Sequence, residues 1–142
     1  MRKNARRIFL ALVILHLFSA VAMAASDRVG YIDAQRILMS HPKYETSQKH
    51  LDDFVQKKTE EAKTAAEQEP DASKRMMIID TARRESGNEE MRIMNPITVE
   101  INKIIEKVAK AKGVTVVLNK VLIYFGGVDL TEDVIKEVKT LK

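Results

Sequence analysis

The chain has 142 residues, of which 45% are apolar, and a formal net charge of +4, a size that fits one small domain. It contains no cysteine, which excludes disulfides, thiolate metal sites and cysteine-based catalysis. Four of its 24 basic residues and none of its 20 acidic ones precede residue 25, so the remainder is formally neutral and gives no electrostatic support to a nucleic-acid function.

The first 24 residues have the three parts of a secretory signal. A basic start is followed by an apolar run of about 16 residues, Ile8 to Met23, and by a small-x-small site that ends at Ala24. The run is shorter than the ~20 residues of a membrane-spanning helix. We therefore expect cleavage after Ala24 and export. Arg6 and Arg7 resemble a twin-arginine signal, but their neighbours favour the ordinary secretory route.

A short strand is predicted at residues 28–33, where apolar residues lead up to Asp33. Asp33 has the position of an N-cap for a brief helix over residues 34–39. A second helix is predicted to begin near Ser40 and Pro42, with Ser40 as its cap.

Two long helical segments lie on either side of a turn at residues 69–73. The second, residues 74–112, carries a heptad seam of apolar residues. That seam consists of Met94, Ile97, Ile101, Ile104, Val108 and Ala111. A helix of about 39 residues would be about 58 Å long, so we expect an antiparallel helical hairpin, residues 43–109, that projects from a body made of 25–42 and 110–142. Bending or fraying is expected at Gly87, and a kink at Pro96.

Two apolar runs, Val114–Leu118 and Val121–Phe125, predict strands joined by a tight β-hairpin turn at Asn119 and Lys120. Both runs are apolar nearly throughout, which implies burial on both faces. One small chain cannot supply that covering, so the pattern favours self-association. A final helix is predicted from residue 131, with Thr131 as its cap.

No motif of an enzyme is present: no serine has the glycine frame of a nucleophile elbow, and Gly126-Gly127 lacks the rest of a phosphate loop. His41 and His50 are nine residues apart, which does not place two metal ligands on one helical face, so both are interpreted as structural or solvated. The sequence predicts no catalytic residue, metal site or cofactor.

The second long helix holds two groups of candidate binding residues, of which the basic one lies in the tip half of the hairpin. Flexible thioethers suit surfaces that accept varied partners, although filling of the helix seam is a competing interpretation. This apolar group comprises Met76, Met77, Ile78, Ile79 and Met91. A second, basic group is a candidate for contact with phosphate or anionic lipid, against the alternative of a solvated, ion-paired face. It comprises Lys74, Arg75, Arg83 and Arg84.

Several stretches resemble the Skp/OmpH family of periplasmic chaperones. They are 29–38 (VGYIDAQRIL), Ser40-x-Pro42, Lys112-Gly113 with the strand that follows, Tyr124, and 129–136 (DLTEDVIK). Together they span essentially all of residues 25–142.

The resemblance implies an α+β homotrimer whose small sheets join in a barrel from which three helical hairpins hang. It also implies an ATP-independent holdase that cages unfolded outer-membrane proteins, its clients, in the periplasm. The body residues expected to build the trimer are Val29, Tyr31, Val116, Leu118, Leu122 and Tyr124. The neutral charge departs from the family pattern and argues against electrostatic capture of acidic clients, and the short hairpin suggests a smaller cavity or smaller clients. The alternative function is a structural coiled-coil spacer of the envelope that binds no client.

Overall fold

The computed structural model describes residues 28–141, so the predicted signal peptide lies outside the described residues. The described chain is α+β, mostly helical with a small three-stranded sheet. In chain order its elements are β1 (Val29–Ile32), α1 (Ala34–Met39), α2 (Tyr44–Gln68), α3 (Ala72–Ala111), β2 (Val116–Asn119), β3 (Val128–Asp129) and α4 (Thr131–Val138).

The sheet has the order β2-β1-β3, and β1 pairs with both neighbours in parallel. Val29 lies opposite Val116, and Gly30 lies opposite both Val117 and Val128. Side chains alternate between faces along β1: Gly30 and Ile32 are buried, whereas Val29 is exposed. The sheet is open, because β2 and β3 each have one side without a strand partner in the described chain.

The predicted β-hairpin at Asn119 and Lys120 is wrong. Residues Lys120–Leu122 form a 3₁₀ turn, and the Asn119 side chain accepts a hydrogen bond from Val121 N at 3.3 Å. A two-residue hairpin turn needs positive φ angles, and in the described chain only glycines have them. The local sequence at Asn119 and Lys120 therefore favours a helical turn over a reversal of the strand.

The hydrophobic core lies between the inner face of the sheet, α1, α4 and the last third of α3. Its fully buried apolar side chains are Ile37, Leu130, Val134 and Val138. Burial of each stabilises the fold by about 1.5–3 kcal/mol. The predicted seam of α3 supplies the other wall through Ile97, Ile101, Ile104 and Val108, all buried, while Ala111 at its end is exposed.

The helices α2 and α3 are joined by three residues, and the Asp71 carboxylate caps α3 by accepting a hydrogen bond from Ser73 N at 2.7 Å. An ion pair connects Lys58 with Glu85 at 2.8 Å, and a hydrogen bond of 3.2 Å connects His41 with Glu100. Both pairs join residues that are equidistant from the turn, so the two helices run in opposite directions. We refer to residues 44–96 as the arm and to the other described residues as the body.

Helix α3 is continuous for 40 residues and passes through both Gly87 and Pro96, so the predicted fraying at Gly87 is absent. Two predicted caps are also wrong. Ser40 ends α1, where its hydroxyl donates to Ile37 O, and Lys43 precedes α2. Thr131 is already the first residue of α4.

The Asp33 cap of α1 is confirmed, since its carboxylate accepts from Arg36 N at 3.1 Å. Gly113, which follows the end of α3, has the left-handed conformation with φ of 65°.

Candidate binding surfaces of the arm and the body

A groove of about 840 Å³ runs between α2 and α3 in the arm. Its floor is made of small residues that leave room between the helices, namely Ala62, Ala66, Ala82, Ser86 and Gly87. Larger apolar side chains, Leu51, Val55 and Ile79, and charged ones, among them Lys63, Glu67 and Glu90, complete the lining. The arrangement offers an apolar channel with charged edges.

The predicted apolar group lies mostly on the surface of the arm. Met76 is 67% exposed and Met77 is 68% exposed, while Ile78 is half-buried and Ile79 lines the groove. Met91 is 55% exposed, so in the single chain it does not fill the helix seam. Flexible, apolar side chains are therefore available along one helix for contact with a partner.

The basic group divides into one structural residue and three surface residues. The Arg75 guanidinium donates to the carbonyl oxygens of Glu69 and Pro70, at 2.7 and 2.9 Å, and so holds the turn between the helices. Lys74, Arg83 and Arg84 are exposed. Only these three have their charge presented at the surface.

Two polar contacts connect the helices of the arm on either side of Gly87. Lys58 contacts Glu85 at 2.8 Å, and a hydrogen bond from its ammonium group raises the pKa of Lys58. His50 lies 3.9 Å from Glu89. A hydrogen bond from the neighbouring arginine of α3 lowers the pKa of Glu89, so this carboxylate stays charged. The helices are therefore tied together by polar contacts where their apolar packing is thin.

The predicted body residues Val29, Tyr31, Val116 and Leu118 are neighbours in the sheet, since Val29 pairs with Val116 and Tyr31 pairs with Leu118. Val116 is 43% exposed, so this outer face is not covered by the chain itself.

Past β2, Leu122 is 64% exposed and Tyr124 is fully exposed. Val121 and Phe125 are likewise exposed. Apolar side chains from the sheet and from residues 121–125 thus remain uncovered by any other part of the described chain. Contiguous exposure of this kind marks interaction surfaces.

Thr131, at the start of α4, connects three elements of the body. Its hydroxyl oxygen accepts a hydrogen bond from Asp33 N at 3.0 Å, and Asp129 accepts one from Thr131 N at 2.9 Å. Hydrogen bonds from the Thr131 side chain and backbone lower the pKa of Asp129. These bonds join β1, β3 and α4 into one unit.

No group of three or more histidine, aspartate or glutamate side chains within residues 28–141 is arranged to hold a metal ion. None of the helices between residues 28 and 141 combines the length and apolar character needed to cross a bilayer. The polar chemistry of this part of the chain is that of ion pairs and helix caps.

Sequence analysis missed the groove, although its signal was present. Small residues recur four apart on both helices, Ala62 with Ala66 and Ala82 with Ser86, and such spacing places them on one helical face. It also missed the role of Arg75, because nothing local distinguishes that residue from its basic neighbours.

The chain is similar to a known protein family. Residues 71–138 match the family described as outer membrane protein (OmpH-like), a segment that includes α3, both later strands and α4. This match confirms the resemblance to the Skp/OmpH family. The search of curated proteins returned no match.

Proposed function

From residues 71–138, which match the OmpH-like family, we propose that the chain is a periplasmic holdase that binds unfolded outer-membrane proteins without ATP. The family match supports a role in binding outer-membrane proteins and a periplasmic location. The observation that carries the holdase mechanism is the exposure of apolar side chains, above all Met76 and Met77, along an extended arm. No catalytic motif is recognised among the residues of this surface.

The arm would hold a client by many weak contacts. Full burial of a methionine is worth about 1.5–3 kcal/mol, and part of that is offset by ordering of the side chain. The summed binding free energy of several such contacts is larger than that of one, while each single contact remains reversible. Apolar segments of the client would thereby be kept from aggregation until they are released.

We further propose a homotrimer built through the outer face of the sheet. Val116, Leu122 and Tyr124 are exposed in the single chain, and β2 and β3 each have a free edge. An open sheet with free edges and an apolar outer face is stabilised when copies of the chain close it. Three bodies would then form a barrel, and their arms would surround a common space.

Lys74, Arg83 and Arg84 are proposed to contact anionic membrane lipid when the arms approach the bilayer. All three are exposed, and Lys74 stands in the first turn of α3 at the end of the arm. We do not assign Arg75 to this lipid contact, because its guanidinium donates hydrogen bonds to the turn.

The test is the aggregation of an outer-membrane β-barrel protein diluted from denaturant, followed by light scattering. Suppression is expected when about one trimer is added per client. The variant Tyr124→Asp should abolish trimers and suppression together, because it places a charge in the proposed interface. The control Thr64→Asp adds the same charge to an exposed position of α2 and should leave both unchanged.

Two results would overturn the proposal. Unchanged aggregation with the unmodified protein removes the holdase function and favours the envelope spacer. A stable, folded monomer in sedimentation analysis removes the trimer.

A further inference from the structure

A buried histidine lies where the arm meets the body. His41, in the connection between α1 and α2, is 3% exposed. Its Nε2 lies 3.2 Å from Glu100 Oε2 on α3, and its Nδ1 accepts a hydrogen bond from Lys43 N at 3.2 Å. One imidazole ring thus contacts the residue that precedes α2 and a carboxylate on α3.

These two bonds define the protonation state of the ring. Nδ1 accepts a hydrogen bond, so it carries a lone pair; Nε2 faces a carboxylate, so it carries the proton and donates. The arrangement is complete only for neutral imidazole. The backbone of the same residue also links two elements, since His41 N donates to Leu38 O of α1 and His41 O accepts from Tyr44 N of α2.

We propose that His41 is a pH-sensitive clasp that fixes the start of α2 to α3 and opens when its imidazole is protonated. A proton on Nδ1 would point at the N–H of Lys43, so two donors would face each other at 3.2 Å and this bond would be lost. The Nε2–H bond to Glu100 would persist and become an ion pair. Acid therefore removes one of the two bonds that hold the start of α2, since the bond from Tyr44 N to His41 O remains, and the weakened junction lets the arm change its angle to the body.

The charged groups around the imidazole are consistent with this order of events. Glu100 is held ionised, because the hydrogen bond with His41 and then the charge of Lys43 lower its pKa. The ammonium group of Lys43 lies 3.6 Å from Glu100 Oε1 and partly neutralises it. Helix α1 carries Arg36, which is paired with a carboxylate of α4, and the first turn of α2 carries the exposed Glu45.

The test is amide hydrogen exchange of Lys43 and Tyr44 in the purified protein at about pH 7.5 and about pH 5.5, corrected for intrinsic rates. We expect protection of the Lys43 amide to fall about tenfold at the lower pH, as for loss of one hydrogen bond. In His41→Asn, whose side-chain oxygen replaces Nδ1 but does not titrate, protection should not depend on pH. In the control His50→Asn, which changes the exposed histidine of the arm, the fall should persist.

Equal pH dependence in His41→Asn and the unmodified protein would overturn the clasp, as would no pH dependence in the unmodified protein. Should His41→Asn fail to fold, the imidazole of His41 can be titrated by NMR in the unmodified protein. Loss of Lys43 protection must then follow the titration of His41, and a mismatch between the two curves contradicts the proposal. The measurement needs no client, so its outcome is independent of the proposed holdase function.

Discussion

Replacement of Gly87 by alanine should stabilise the arm. Gly87 lies inside α3, where glycine is less favourable than alanine by about 1 kcal/mol because it loses more backbone freedom on folding. A Cβ placed on Gly87 meets no atom within 4 Å, because this position borders the groove between the helices. The full difference in helix propensity is therefore available, with no steric penalty against it.

The expected gain is about 1 kcal/mol per chain. A change of about 1.4 kcal/mol alters an equilibrium constant tenfold, so a gain of about 1 kcal/mol should make local opening of the helix about fivefold rarer. Amide hydrogen exchange resolved by residue measures this directly, as an increase of about fivefold in protection around residue 87. The free energy of unfolding, from denaturant titration at fixed protein concentration, gives an independent value.

Gly30→Ala is the matched control, because it makes the same chemical change at a crowded site. A Cβ on Gly30 would lie 2.9 Å from Val114 Cγ1 and 3.0 Å from Leu130 Cδ1, so this variant should be destabilised by about 1–3 kcal/mol. The reasoning is refuted if Gly87→Ala leaves exchange unchanged or lowers the free energy of unfolding. If the variant is stabilised and also suppresses aggregation of fewer clients, the flexibility of the arm has a functional role.

Three further outcomes are expected. Ile37→Ala removes a fully buried side chain and should lower the free energy of unfolding by about 2–5 kcal/mol, whereas Val121→Ala, at an exposed position, should leave the fold of the single chain intact. Asp129 has a lowered pKa in the folded state. Its contribution to stability is therefore present above the ordinary aspartate pKa of about 3.9 and is lost as pH falls through the lower folded value. Asp129→Asn should remove that part of the acid unfolding transition, as followed by circular dichroism. The double variant Met76→Gln and Met77→Gln should keep the trimer but suppress client aggregation less in the light-scattering assay, and full suppression would exclude these residues from the binding surface.

Local sequence signals predicted the parts of the fold that depend on near neighbours. The heptad spacing of Ile97, Ile101 and Ile104 identified the side of α3 that enters the core, because helical periodicity is a property of consecutive residues. Asp33 was identified for the same reason, since a cap acts within one turn of its helix.

Long-range pairing was not predictable in this way. Two apolar runs close together in sequence favour a hairpin, but β1 takes the place beside β2 and makes the sheet parallel. The bonds of His41 with Glu100 likewise join residues 59 apart. Nothing in the residues next to either side chain indicates its partner. The local sequence therefore cannot distinguish a buried, hydrogen-bonded histidine from a solvated one.

The central place of β1 in the sheet also sets the order in which the chain can fold. Thr115 N and Arg28 O, which are hydrogen-bonded at 2.9 Å beside β1, are separated by 87 residues. The strand β1 therefore has no strand to pair with until the whole arm has been synthesised, because β2 and β3 both follow the arm in the chain. Helices α2 and α3 close over a three-residue turn and can assemble early, since short loops close fastest. The body is thus the last unit to form, and its outer face is complete only after the arm is complete.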